Sequence, residues 1–239
     1  EDYAYPEYQA HVNDSTDYQV YNNSAQQDAS TEAVRETAGE VLKYKGNIVT
    51  TYYYSTSCGK TTTMKAWGTS ENESNGYLQS VEVKDKKGDY EKSLPWYRWE
   101  TDIDQDILST LLAENVKKNI GTVQSLEVTK TGPGGVALQI KAVGDKGSIT
   151  VDTENKIRKA LGGNGYEIKK QDGTVAQSGT LLPSAFFKVK KAGNIFKIIG
   201  GGYGHGIGMS QNGANEMAKT GKNYQEILQM FYPGTTIEK

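Results

Sequence analysis

The sequence predicts an α+β fold: a mixed or antiparallel sheet core with several short helices and a small β-rich inserted lobe. Three observations predict it. Segments with period-2 apolar patterning outnumber those with helical spacing. The two kinds do not alternate strictly, as a doubly wound parallel sheet would require. Finally, 27 glycines in 239 residues cut the chain into short elements.

The first thirty residues are rich in Tyr, Asn, Asp, Ser and Gln and lack periodicity, which reads as an arm or an ordered loop. After Ser30, Val34, Ala38, Val41 and Leu42 share one face of a helix expected to end near Gly46. Asn47–Tyr54 is β-branched and aromatic and predicts a strand, which leads into Ser55-Thr-Ser-Cys58-Gly-Lys-Thr61. A short strand is expected over Leu78–Lys84. A helix follows over Asp102–Val116, with Asp102 as N-cap and Ile103, Ile107, Leu108, Leu111 and Leu112 on its apolar face. Val123–Lys130, Val136–Val143 and Ser148–Asp152 alternate around Gly-Pro-Gly-Gly and Gly-Asp-Lys-Gly turns, the pattern of a β-meander. Asn155–Leu161 reads as a short helix and Tyr166–Ile199 as further strands. The last two helices carry Ala214, Met217 and Ala218, then Tyr224, Ile227, Leu228 and Phe231 ahead of Pro233-Gly234. One structural unit spanning 1–239 is favoured, with the inserted lobe at about 100–155.

Composition excludes several function classes. The formal net charge is −2 with Lys and Arg scattered, so there is no basic footprint for nucleic acid. The single cysteine rules out an internal disulfide and a zinc site built from several thiolates. Apolar runs fall far short of a membrane span. The chain opens on Glu1-Asp-Tyr-Ala-Tyr5, with no Met and no apolar leader, so it reads as a piece of a longer protein whose signal or anchor lies upstream.

Chemistry concentrates in two motifs. In Gly200–Gly208 six of nine residues are glycine, a density that lets backbone approach a ligand closely or take positive φ repeatedly. The spacing fits neither nucleotide-binding glycine motif, so a phosphate cradle is not implied. What the loop presents is His205, with Ser210 and Gln211 near a helix start. Imidazole can donate to or accept from a sugar oxygen, or it can be a satisfied residue of a tight turn. Ser55–Thr61 lies at a strand end, where short polar side chains leave room for a ligand. Cys58 could act as a nucleophile with His205 as base, hold zinc with it, or fill a spot that needs a small side chain. The 16 tyrosines suit half-buried strands and also stacking under sugar rings.

In order along the chain stand Asp14-Ser-Thr-Asp-Tyr-Gln19-Val-Tyr21, Ala33-Val-x-x-Thr37-x-Gly39-x-Val41-Leu42-x-Tyr44-x-Gly46, Ser55-Thr-Ser-Cys-Gly59-Lys-Thr61 and Arg158-x-x-Leu161-Gly162. Gly202-Tyr-Gly-His-Gly-Ile-Gly-Met-Ser-Gln211-x-Gly-Ala214 and Tyr224-x-Glu226-Ile-Leu228-x-x-Phe-Tyr232-Pro-Gly234 follow. With these the sequence resembles the stage II sporulation protein D family of peptidoglycan lytic transglycosylases. The resemblance implies cleavage of the MurNAc–GlcNAc bond on strands stripped of stem peptides, giving a 1,6-anhydro sugar without cofactor or metal. One carboxyl would act first as acid and then as base.

The resemblance places that carboxyl on a glutamate in a Val-Val-Ala-x-Glu-Met-like segment, and no such segment occurs among these 239 residues. The N-terminal part of the family domain is therefore expected upstream, and this chain alone is expected to be inert. Cys58 stands where relatives carry a small residue such as glycine. The expected glycan-facing residues are Tyr203, Ser210, Gln211, Ser55, Thr56, Ser57, Gly59, Thr61 and Gln19, with His205 in a supporting catalytic role. The expected location is extracytoplasmic, secreted or membrane-anchored, in the intermembrane space during sporulation. The alternative is a non-catalytic glycan-binding module that recruits or stimulates a cell-wall amidase. An envelope scaffold is a third reading.

Overall fold

The computed structural model describes residues 3–15, 18, 20 and 23–239, so Gln19 lies outside the described residues. It holds two compact units, Glu1–Val41 with Lys239, and Leu42–Glu238. The first unit carries helix α1 (Asp28–Glu36), with Asp28 in its first turn and Arg35 in its last, the charge order that complements a helix dipole.

The second unit follows with β1 (Val41–Tyr44), which begins at the boundary, then β2 (Asn47–Ile48), β3 (Tyr53–Tyr54), β4 (Lys84–Asp85), β5 (Gly88–Asp89), β6 (Trp99–Asp104) and helix α2 (Gln105–Val116). Next come β7 (Val123–Thr131), β8 (Ala137–Gly144), β9 (Gly147–Asp152), α3 (Glu154–Leu161), β10 (Glu167–Lys170), β11 (Val175–Gln177), β12 (Phe187–Ala192) and β13 (Ile195–Gly200). The chain ends with β14 (Met209–Ser210), α4 (Gln211–Lys219), α5 (Tyr224–Phe231) and β15 (Thr236–Glu238). Among the described residues, five helices and fifteen strands in several sheets make the α+β fold that the sequence predicts.

The main sheet has the order β11-β10-β6-β13-β12, antiparallel throughout. β6 is central and alternates as a strand with one buried face should, with Trp99, Thr101 and Ile103 inward. That alternation corrects the start of the second helix. Ile103 pairs with Phe196 in the ladder, and Asp104 rather than Asp102 is the N-cap, accepting from the Asp106 N–H at 2.8 Å.

The meander β7-β8-β9 forms its own sheet as predicted, and α3 packs on β8 and α2. All of it belongs to the unit Leu42–Glu238, and position 100 falls inside a strand of the main sheet. The core gathers Ile103, Leu108, Leu112, Ile157, Phe196 and Ile198, none of them exposed.

Three expectations on either side of the first motif are corrected. The helix read from Ser30 towards Gly46 stops at Glu36, and Gly39 with φ +81° is incompatible with its continuation. Val41–Tyr44 is instead one arm of a hairpin. Lys45 and Gly46, both at positive φ, make the two-residue turn that a twisted hairpin favours. The strand predicted over Asn47–Tyr54 divides, because β2 pairs with β1 whereas β3 pairs with β14. The segment Leu78–Lys84 does not form the continuous strand expected of it. It runs beside Gly59–Thr61 through the bonds Thr61 N–H to Val81 O (3.0 Å) and Val83 N–H to Gly59 O (2.9 Å).

Candidate functional site

Backbone pairing brings the two motifs together. β3 and β14 lie parallel, with Tyr53 opposite Met209 and Tyr54 opposite Ser210. Just beyond, Thr56 and Tyr203 exchange both backbone bonds, at 3.0 and 2.8 Å, and Thr62 bridges Ile207. The glycines permit this closeness. At Gly208 φ is +76°, and a Cβ would stand 2.0 Å from the Tyr52 carbonyl oxygen, so no other residue fits. At Gly206, φ +81°, it would meet the Phe186 ring at 2.5 Å.

Glu91 ties the motifs from inside. Its Oε1 accepts from the Ser57 N–H (2.9 Å) and the Ser210 hydroxyl (2.7 Å), and its Oε2 accepts from the Ser57 hydroxyl. Burial pushes this carboxyl above the usual range, while the bonds from Ser57 and Ser210 pull it back down. Glu91 has no exposed surface, so it holds strands rather than ligands. Ser210 also caps α4, accepting from the Gly213 N–H at 3.2 Å. Glu91 was not foreseen. It lies in a loop of mixed charges, where solvent exposure is the default for a glutamate.

His205 is held from both ends. Its Nδ1 accepts from the Ile207 N–H at 3.1 Å, which leaves the proton on Nε2 to be donated to the Tyr53 carbonyl at 2.9 Å. The ring lies 5.0 Å from Trp67 and 5.5 Å from Tyr54. Burial lowers its pKa to about 4, so the imidazole is neutral at neutral pH. With both nitrogens committed to backbone, neither is available to Cys58 as a base or to a metal beside it. Arg158 braces the same region. It donates Nη1 to the buried Glu154 (2.8 Å) and Nε to the Leu182 carbonyl (2.7 Å), and Trp67 Nε1 donates to the other Glu154 oxygen at 3.3 Å.

The surface that remains is aromatic and hydroxylic. Tyr203 is 42% exposed and stands 4.8 Å from the half-buried Trp96, their rings tilted by 49°. Lys170 Nζ lies 5.1 Å over the Trp96 ring. Ser55 is half-buried and within 3.1 Å of Thr56 Oγ1, which accepts from Asn212 Nδ2 at 2.9 Å. Of the residues named from sequence, Tyr203, Gln211 and Ser55 reach solvent, whereas Thr56, Ser57, Gly59, Thr61 and Ser210 are buried and shape the surface from beneath. Trp96 and Asn212 join them without having been singled out. An aromatic residue two positions after Leu94 carries no pattern of its own, and only the fold sets it beside Tyr203.

Residues 65–208 match the family model described as Domain of unknown function (DUF8618). That is more than half of the chain. The chain belongs to this family. Curated relatives of this DUF8618 chain extend the likeness over 95% of it. It is 29% identical to stage II sporulation protein D of Bacillus subtilis, covering 60% of that protein, and 28% identical to the amidase enhancer of the same organism, covering 35%. It is 30% identical to an uncharacterized protein of Brachyspira hyodysenteriae, covering 53%. The chain is thus a homologue of stage II sporulation protein D, as its motifs suggest. It spans between 35% and 60% of the lengths of these relatives. Among the described residues no helix of this DUF8618 chain is long and apolar enough to cross a membrane.

Proposed function

We propose that this chain forms the glycan-facing part of a peptidoglycan lytic transglycosylase acting on strands stripped of their stem peptides, in sporulation and engulfment. The observation that carries the reading is the pairing of exposed Tyr203, on a loop locked by backbone bonds to Thr56, with the half-buried ring of Trp96. Pyranose rings present apolar C–H faces between polar edges. An aromatic ring flanked by hydroxyl and amide groups complements both. The names of the sporulation relatives support the same reading.

In this reading the chain binds and orients rather than supplies the proton. Cleavage with attack by the substrate's own 6-hydroxyl needs one carboxyl, as acid and then as base. Glu91 is sealed from solvent, and the imidazole of His205 is neutral and committed to Tyr53 and Ile207. His205 therefore supports the reaction by fixing the Tyr203 loop. The protein works outside the cytoplasm, secreted or membrane-anchored.

A second reading has its own support in the relative named amidase enhancer: a non-catalytic module that holds glycan strands and recruits or stimulates a cell-wall amidase. Mass spectrometry of stripped strands incubated with the full-length protein separates the two. A product lighter by one water supports the transglycosylase, strands bound but uncut support the module, and absence of binding defeats both.

A further inference from the structure

A second feature of the same unit lies on the main sheet. Between Cys58–Lys60 and Phe186–Lys188 the surface opens into a cleft of about 620 Å³, bordered by Gly200 and Gly201. Both glycines run as bare backbone there, since a Cβ on Gly201 would stand 2.5 Å from the Tyr97 carbonyl oxygen and one on Gly200 would meet the Trp99 ring at 2.4 Å. Ile199, 38% exposed, supplies apolar surface.

The charge of this cleft runs against that of the chain. Lys60, Lys84, Arg98 and Lys188 face only Glu82 and Asp89, in a protein of net charge −2. Glu82 is shared by Lys60 (3.3 Å) and Lys84 (2.5 Å), and Asp89 accepts from the Tyr97 hydroxyl. Arg98 and Lys188 make no ion pair with a described carboxylate.

The sheet register places these two cations. Lys188 is opposite Ile199, and Ile199 is opposite Glu100, so the three side chains share a face. Arg98, in extended backbone two residues before Glu100, continues that face. Glu100 itself is taken by Lys197 at 2.9 Å. Two strand spacings, about 10 Å, separate the columns carrying Arg98 and Lys188, a gap that two long cationic side chains can close on one carboxylate lying between them. Arg98 is held in place, donating Nη1 to the carbonyls of Cys58 (2.9 Å) and Tyr97 (2.7 Å) with its guanidinium over the Tyr97 ring.

We propose that this cleft binds an acidic sugar, with its carboxylate held by Arg98 and Lys188 and its ring lying on Ile199 and the bare Gly200–Gly201 backbone. The proposal rests on the reading of the ligand as a glycan strand and adds what selects it. Removing a stem peptide from a muramyl residue turns an amide into a free carboxylate. A guanidinium and an ammonium bind a carboxylate far better than the amide it replaces.

The test measures binding of the chain to stripped glycan strands and to the same strands with their carboxylates converted to methylamides. The wild-type chain binds the amidated strands about tenfold more weakly, the worth of one charge-assisted contact. Arg98→Gln and Lys188→Gln each weaken binding to stripped strands by a similar factor and narrow the distinction. Lys188 is exposed and its side chain pairs with no described carboxylate, so its variant stays informative if Arg98→Gln disturbs the fold. Equal affinity of the wild type for both strands, or variants that discriminate as well as it does, overturns the proposal while leaving the glycan reading intact. Failure to bind either strand overturns both.

Discussion

Ser210 donates its hydroxyl to Glu91 Oε1 at 2.7 Å, although 119 positions separate the two residues. One buried carboxyl thereby joins the loop after β3, the start of α4 and the segment before β6. Ser57 completes the set through its N–H and its hydroxyl. The two sequence motifs also meet directly, since Ser210 Oγ accepts from the Ser57 N–H at 3.1 Å.

Glu91→Ala leaves those donors buried without an acceptor and should cost about 3 kcal/mol. Glu91→Gln keeps an acceptor and the shape, and should cost about 1 kcal/mol. The pH dependence has a definite sign. The folded carboxyl is raised by burial, so its contribution is complete below the ordinary carboxylate range and is lost as pH rises through its folded value. Urea midpoints across pH should therefore show that loss in the wild type and not in Glu91→Gln.

The sequence made the fold class, the meander and the last two helices legible because each rests on local pattern: alternation, a capping residue and a terminal glycine or proline. The last helix, for instance, was legible from Tyr224, Ile227, Leu228 and Phe231 ahead of Pro233-Gly234, and the structure starts it on a capping box of Asn223 and Glu226. Legibility failed where long-range pairing overrides local pattern. Val41 and Leu42 fit a helical face, yet they belong to a hairpin whose turn is made by Lys45-Gly46. Asp102 resembles an N-cap, yet the central strand claims it. The candidate site followed the same division. Tyr203, Gln211 and Ser55 were recognisable by type and motif, whereas Glu91 and Trp96 gain their places only through the folding of distant segments.

His205 provides a pH test of opposite sign. Its folded pKa, about 4, lies below its ordinary value, so its contribution is present above about pH 6.5 and is lost as pH falls towards 4. His205→Gln removes that titration. The stability gap between wild type and variant should shrink steadily from neutral pH to about pH 4 in denaturant titrations. A gap that stays constant would mean that the imidazole titrates alike in both states.

The Tyr203–Trp96 pair separates binding from folding. Tyr203 is 42% exposed and its loop is held by backbone bonds, so Tyr203→Ala should change stability by less than about 0.5 kcal/mol. Removing its ring should weaken binding to glycan strands by about tenfold, and Tyr203→Phe should restore most of it. Trp96→Ala should weaken binding to a similar degree. Isothermal titration with stripped strands reads all three variants, and unchanged affinity in Tyr203→Ala and Trp96→Ala would remove the pair from the glycan surface.

Gly208 and Gly221 allow backbone strain to be separated from collision. Both have positive φ, +76° and +92°, so an alanine at either position incurs the conformational penalty of about 1 kcal/mol. At Gly221 nothing stands within 4 Å of a new Cβ, so Gly221→Ala should lose little more than that. At Gly208 the Cβ would lie 2.0 Å from the Tyr52 carbonyl oxygen, which also accepts from the Met209 N–H at 3.0 Å and the Tyr232 hydroxyl at 2.7 Å. Relieving that clash must push β3 and β14 apart, so Gly208→Ala should lose at least about 3 kcal/mol and release the His205 bond to Tyr53. Thermal unfolding ranks the two variants, and the His205 imidazole resonances report whether its titration has moved up towards the ordinary value. Equal losses for the two variants would mean that the loop yields without parting the strands.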